Sequence, residues 1–421
     1  MNDSYKYIGP FSELLTLADL PLRGALSDAQ LNLQKNQGIL IKNEKIEKTG
    51  FHDTLLTEAK MLQAGIEILE ENYCALPAFI DAHTHICFAG SRATDYAMRN
   101  AGKSYLEIAN AGGGIQDTVM ATRKASEEEL TQNTIARANR LLTGGITTIE
   151  VKSGYGLSIS EELKMLRAIQ KAQKHTAATL IPTCLAAHTL PKEYKDNPEY
   201  YVDLITNELL PQIKAENLAR RVDAFIEQSA FSPKIIKPYF DKARELGFDI
   251  TVHADQFTPG GSAVAVDYDA ASADHLEASG ETEIELLAKS NTVATALPGA
   301  SLGLGCAFTP ARKLLDEGAI LAIASDWNPG SAPMGDLLMQ ASILGTFQKL
   351  SNAEVLAGIT TRAARALNLK HDTSLKAGNP ADLVIFRTDQ IVNILYHQGQ
   401  LKPNQVYKNG KLVFKTVHHD F

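Results

Sequence analysis

The sequence predicts an α/β protein: a (β/α)8 TIM-like barrel with a small β-sandwich domain formed from both chain ends. Three observations predict it. Apolar, β-branched runs alternate with helix-like stretches through the middle of the 421 residues. Hairpin patterns stand near both termini. Ionisable side chains recur just past the apolar runs, where a barrel collects its active site.

Taken in order, Gly38–Glu47 reads as two short strands around the polar turn Asn43-Glu44. The eight barrel strands are expected at Leu76–Ile80, Ile146–Val151, Thr179–Ala186, Val222–Ile226, Asp249–Val252, Ala271–Ala273, Thr292–Leu297 and Ala319–Ala324. Helical stretches fall between most of them, at Glu127–Leu142, Ser160–Lys174, Tyr200–Lys214, Pro233–Leu246 and Pro310–Glu317. Ser126, Ser160 and Ser232 are the expected N-caps, the last with Pro233 at the first helical position. Near the end, Leu383–Phe386 is a strand, and Val406–Phe414 is a hairpin centred on Asn409-Gly410. The expected division is a composite β-domain from 1–76 and 377–421, with the barrel at 77–376. An open doubly wound sheet would carry a G-x-G-x-x-G after its first strand, and Asp81-Ala82-His83-Thr84-His85 stands there instead.

Composition narrows the function. Forty-one Lys and Arg against 49 Asp and Glu leave a formal charge of −8, which repels phosphate backbones and anionic lipid, so neither nucleic acid nor membrane is an expected partner. The N-terminus has no basic stretch leading into an apolar one, and no apolar run approaches the ~20 residues of a span. Four scattered cysteines lack a C-x-x-C spacing, as expected of free thiols in a cytoplasmic protein.

The chemistry lies at the strand ends. The first strand is followed by His83 and His85, the second by Lys152 and Tyr155, and the third by His188. Glu227 follows the fourth, His253 and Asp255 the fifth, His275 the sixth and Asp326 the eighth. In extended chain, residues i and i+2 point to one side, so His83 and His85 can reach one ion. With His253 and Asp326 they make three nitrogens and one oxygen, a set that suits one divalent ion per chain, Zn2+ or Fe2+/Fe3+, with a position left for water. The Glu127-Glu128-Glu129 run is the solvated first turn of a helix. Gly112-Gly113-Gly114 lacks the Lys-Ser/Thr of a phosphate-binding loop and reads as a flexible loop over the pocket.

The stretch Leu76–His85 resembles the opening strand of the amidohydrolase superfamily. Later motifs narrow the resemblance to the imidazolonepropionase family: Gly90-Ser91-Arg92, Ala111–Ile115, Val151-Lys152-Ser153-Gly154-Tyr155-Gly156, His253-Ala254-Asp255, Ser272–Leu276 and Asn328-Pro329-Gly330-Ser331. The resemblance runs from Leu76 to about Val384. It implies a metal-dependent hydrolase of histidine degradation that opens the small-molecule substrate 4-imidazolone-5-propanoate to N-formimidoyl-L-glutamate, working as a homodimer. By motif, His83, His85, His253 and Asp326 match the family's metal ligands. Arg92, Tyr105, Tyr155, His188 and Gln256 match positions that contact substrate, and Asn328, Gly330 and Ser331 match product contacts.

The residue types suit that reaction. A divalent ion brings the pKa of bound water towards ~7. Asp326 can carry a proton from that water to the leaving ring nitrogen. His275 can hydrogen-bond the nucleophile or the developing oxyanion, and His188 can polarise the ring carbonyl. Arg92 offers a fork to the propanoate carboxylate. Lys152 resembles the carbamylated lysine of two-metal relatives, but a structural ion pair with Glu150 or a neighbour is the expectation. Some members carry Glu where Gln256 stands, and an amide cannot act as a base. Two alternatives use the same barrel: another single-metal amidohydrolase, such as a ring deaminase releasing ammonia, and a non-catalytic scaffold with a broken metal site.

Overall fold

The protein is described here by a computed structural model covering residues 3–416, except 71, 105, 106, 109, 110 and 229. Its strands form two sheets of eight. One belongs to the chain ends. It takes Tyr5–Leu15, Leu33–Lys42, Lys45–Phe51, Gly65–Ile68 and Cys74–Pro77 from the N-terminal side, and Leu383–Phe386, Gln405–Lys408 and Lys411–Lys415 from the C-terminal side. The two contributions join where Cys74–Pro77 runs antiparallel to Leu383–Phe386. Both expected hairpins are present, and Asn43 (φ 58°), Asn409 (φ 49°) and Gly410 (φ 71°) take the left-handed conformations that such turns need. The sheet rolls until its far parts meet: Ile46 N donates to Asn379 O (2.9 Å) and Gly410 N to Ala381 O (2.8 Å). Ile8, Phe11, Ile39, Ile41, Leu383 and Ile385 pack into the core between them.

The second sheet is the barrel. Its parallel strands, numbered in chain order, are β1 (Phe79–Asp81), β2 (Ile146–Lys152), β3 (Thr179–Ala187), β4 (Arg221–Ile226), β5 (Asp249–Ala254), β6 (Ser272–His275), β7 (Val293–Ala296) and β8 (Leu321–Ile323). Each pairs with the next. β1 and β8 are three residues long, and the loops beyond them complete the seam. Asp326 N donates to His83 O (3.0 Å) and His85 N to Trp327 O (2.9 Å). The helix Thr361–Ala366 covers that seam, and its Ala363 and Ala366 share an apolar cluster with Ile80, Val293 and Ala322.

Three local expectations need correction. The run Leu76–Ile80 is not one strand: Cys74–Pro77 belongs to the terminal sheet and β1 begins at Phe79. Ala78 is the crossing point, its N–H going to Asp382 O (3.1 Å), while Phe79 N turns to Gly145 O (2.9 Å). Ser158, not Ser160, caps the helix Ile159–Ala172, accepting from Glu161 N. The stretch expected as one helix at Tyr200–Lys214 is Pro198–Leu204, a wide π turn at Ile205–Leu209, then Leu210–Glu216. Pro211 explains the widening, because its ring has no N–H and would collide with the carbonyl one α-turn back. Among the described residues no helix is long and apolar enough to cross a membrane.

Candidate active site

The barrel register brings four distant side chains to one point. His83 and His85 leave the end of β1 on the same side, and their Nε2 atoms stand 3.2 Å apart. His253 Nε2, from β5, lies 3.3 Å from His85 Nε2. The three imidazoles are buried, with ligand atoms all within 4.8 Å of one another. Asp326 Oδ1 arrives from beyond β8, 3.6 Å from His83 Nε2 and 3.4 Å from His85 Nε2.

A layer of acids beneath the cluster orients these imidazoles. His83 Nδ1 donates to Asp274 Oδ2 (2.7 Å), so its Nε2 keeps the lone pair. His253 Nδ1 lies 2.8 Å from Asp223 Oδ2, and its backbone N donates to Asp223 Oδ1 (3.1 Å). Lys152 sits under both, 2.7 Å from Glu150 and 2.8 Å from Asp223. Burial alone would strip its charge, but Asp223 and Glu150 reverse that and hold the ammonium above its ordinary value. Lys152 thus makes the structural ion pair expected of it. Burial lowers the imidazoles of His83, well below the usual range, and of His253, to about 4. They are therefore neutral, the form that donates a lone pair to a cation. Burial would raise the Asp326 carboxyl, yet the nearby His85 (Nε2 at 3.4 Å) and the surrounding histidines bring it below its ordinary value. Three imidazole nitrogens and one carboxylate oxygen, converging and braced from behind, fit a divalent ion.

Above the cluster opens a cavity of about 590 Å3, within the usual size of small-molecule sites. Arg92, Tyr155, His188, Gln256, His275, Asn328, Gly330 and Ser331 all line it. Tyr105 lies outside the described residues. Arg92 is fixed through Nε, which donates to Asp95 Oδ2 (2.7 Å), and the same oxygen accepts from Gly114 N (2.8 Å). Asn328 Nδ2 donates to Asp326 Oδ2 (2.9 Å) and Ser331 Oγ (2.9 Å), and its Oδ1 accepts from Gly330 N and Ser331 N. It therefore holds the Asp326 carboxylate and shapes the loop beside it.

His275 and Leu276 both have positive φ, 87° and 70°, an uncommon backbone for residues with side chains. That turn brings the His275 imidazole to the cavity wall, with Nδ1 3.5 Å from Glu277 Oε1. His188 Nδ1 lies 3.0 Å from Gly154 O. A carbonyl only accepts, so Nδ1 carries the hydrogen; burial and the nearby His85 and His253 keep the ring neutral. His188 Nε2 is then an acceptor.

Two rim acids have structural duties. Glu227 accepts from Phe257 N and Thr258 N (both 3.0 Å), and Asp255 accepts from Gly260 N (2.8 Å) and Ser262 N (3.1 Å). The sequence reading missed Asp223, Asp274 and Asp95. A residue-by-residue inspection of the inward face of β4 and β6 would have flagged the first two, because buried acids at alternate strand positions need cationic or imidazole partners.

The sequence profile of the amidohydrolase family matches residues 74–413. The chain is 41% identical over 346 residues to the imidazolonepropionase of Alkaliphilus oremlandii, covering 82% of each chain. It is 38% identical over 406 residues to that of Symbiobacterium thermophilum, covering 95% of each. With that of Mesorhizobium japonicum it shares 44% over 326 residues, 77% of this chain and 80% of the relative. Among solved structures, a triazine hydrolase of Arthrobacter aurescens superposes with TM-score 0.72 at 16% identity, covering 98% of this chain and 95% of the other. A 5-methylcytosine deaminase of Klebsiella pneumoniae gives TM-score 0.72 at 16%, covering 97% and 98%. At that identity these two likenesses speak for the fold alone. By profile and by full-length similarity, this chain belongs to the amidohydrolase family, in its imidazolonepropionase branch.

Proposed function

We propose that this chain is a metal-dependent hydrolase that opens 4-imidazolone-5-propanoate to N-formimidoyl-L-glutamate, using one Zn2+ or Fe2+/Fe3+ held by His83, His85, His253 and Asp326. The observation that carries this reading is that Arg92 and the three-histidine cluster line or floor one cavity, so a carboxylate and a ring can be held at once. When bound, a divalent ion supplies Lewis acidity and lowers the pKa of water towards ~7.

The chain's own groups do the rest. Asp326, ionised and steered by Asn328, takes the proton of the attacking water and delivers it to the departing ring nitrogen. His275 hydrogen-bonds the nucleophile or the oxyanion that develops on the ring carbonyl. His188, held through Nδ1 by Gly154 O (3.0 Å), meets the ring from the cavity wall, where its Nε2 is placed to receive a ring N–H. Arg92, held through Nε, keeps its two terminal nitrogens for the propanoate. Gln256 and Tyr155 flank the ring, Ser331 and Gly330 meet the product, and the working assembly is a homodimer.

The test is to supply 4-imidazolone-5-propanoate and follow loss of its ultraviolet absorbance, with ammonia measured in parallel. Ring opening without ammonia supports the reading, and ammonia release from a purine or guanidine panel with no ring opening refutes it. Metal analysis far below one ion per chain, with no gain on reloading, would favour the scaffold alternative.

A further inference from the structure

The cavity holds a second arginine that neither the motifs nor the reaction has used. Arg99, in the helix Ala93–Asn100, lines the same cavity as Arg92. Its Nε is buried and has no hydrogen-bond partner among the described residues. Its Nη2 makes only a long contact, 3.4 Å to Gly330 O, and its guanidinium lies 5.9 Å from the Tyr96 ring centroid. No carboxylate pairs with Arg99 among the described residues. The nearest acid on this helix, Asp95, is engaged by Arg92 and Gly114, and Lys103, also at the wall, is paired with Glu107 (2.9 Å).

Gly330 is a neighbour of both guanidinium groups. A Cβ on it would stand 2.6 Å from Arg92 Nη1, while its carbonyl faces Arg99. The two arginines thus approach one glycine at the wall of one cavity. A buried guanidinium nitrogen without a partner is costly, and an anionic ligand is what would satisfy it.

We propose that Arg99 is a second cation of the carboxylate subsite, binding the acidic arm of the ligand together with Arg92 and setting selectivity for carboxylate-bearing rings. This rests on the functional reading above for the identity of the substrate, but not for the anion site itself.

The experiment compares wild type with Arg99→Gln and Arg99→Lys. Binding of 3-(imidazol-4-yl)propanoate and of 4-ethylimidazole is measured by calorimetry, alongside steady-state kinetics on 4-imidazolone-5-propanoate. Arg99→Gln is expected to weaken the propanoate about 10- to 100-fold, the usual worth of a charge-assisted hydrogen bond, while 4-ethylimidazole stays within about twofold. KM rises in step and kcat changes little, as for a contact made equally in ground and transition states. Arg99→Lys, which keeps the charge but not the fork, recovers part of the loss. Metal content and unfolding temperature are checked for each variant, and equal losses for both ligands in Arg99→Gln count against the proposal. Equal affinity of wild type and both variants for the propanoate overturns the proposal. If the propanoate-selective loss appears but 4-imidazolone-5-propanoate is not hydrolysed, the anion subsite stands and the substrate reading falls.

Discussion

Replacing Asp223 by Asn removes one negative charge and keeps the shape. In the native site this carboxylate faces His253 Nδ1 (2.8 Å), accepts from His253 N (3.1 Å) and lies 2.8 Å from Lys152 Nζ. Burial would raise its pKa, but His253 and Lys152 hold it far below the usual carboxylate range, so it is ionised whenever the protein is folded near neutrality. A hydrogen bond to a charged group is worth about 1.5–3 kcal/mol and a neutral one about 0.5–1.5. The exchange therefore costs His253 about 1–2 kcal/mol of orientation and basicity, or about 5- to 30-fold in affinity for a divalent ion. That sits within the range for partners that orient ligating histidines. The assay strips the protein of metal, then titrates Zn2+ against a chromophoric chelator. Unfolding temperatures of the metal-free forms separate a binding effect from a folding one. Asp274→Asn is the internal comparison: it alters the acceptor of His83 Nδ1 (2.7 Å) and is expected to lower Zn2+ affinity in the same direction. Zn2+ affinity unchanged within about twofold in Asp223→Asn would refute the argument that the acid layer tunes the imidazoles above it.

Asp326→Asn is expected to abolish turnover while substrate binding survives, read by steady-state kinetics and ligand calorimetry. Lys152→Met leaves Glu150 and Asp223 buried without their cation, and breaking such a pair costs about 3–5 kcal/mol, to be measured by denaturant unfolding. Gln256→Glu is expected to retain measurable ring opening, and a strict need for the amide would show that this residue does more than orient the ring. Glu67, in the terminal sheet, has a pKa that burial would raise, but Tyr407 (2.7 Å) and Lys6 (3.0 Å) bring it below its ordinary value. A depressed carboxyl stabilises above its unfolded pKa and loses that contribution as pH falls through the folded one. Glu67→Gln is thus less stable than wild type at pH 7, with a gap that closes in acid, as thermal unfolding across pH would record.

Legibility followed the range of the interaction. The positions of His83, His85, His253 and Asp326 were readable because each directly follows an apolar run, and the end of a run is a local property. The pairing of Lys152 with Glu150 was readable for the same reason, two residues apart on one strand face. Asp223 and Asp274 were not, because their duty depends on register: Asp274 stands opposite His253 between β6 and β5 yet serves His83, 191 residues away. The break inside Leu76–Ile80 was hidden because the run is apolar throughout, and only the return of Asp382 shows where one sheet hands the chain to the other. The Ser158 cap, by contrast, was available locally. Ser158 precedes Glu161 by three residues, the spacing of a capping box, whereas Ser160 precedes Leu163. Arg99 lay beyond reach because its significance arises only where the loop carrying Gly330 meets the helix Ala93–Asn100.

The barrel seam and the candidate metal site are one piece of structure. β1 and β8 are each too short to close the cylinder along their own length, and the backbone that finishes the job runs through His83, His85, Asp326 and Trp327. Each closing hydrogen bond joins a residue of the His83–His85 segment to one of the Asp326–Trp327 segment. An ion gripped by His83, His85 and Asp326 would therefore clamp the same two segments through their side chains. Asp326 has φ of 51°, a conformation that an aspartate tolerates better than most residues, and it turns the carboxylate inward while its N–H stays on the seam. The neighbours that hold this turn are bound to it on both sides: Ser325 N donates to Asp81 Oδ1 (2.9 Å), and Asn328 Nδ2 to Asp326 O (2.8 Å). Hence the shortest strands of the barrel coincide with the point where candidate ligand atoms converge, and an ion bound there would add to fold stability directly, by mass action on the closed form.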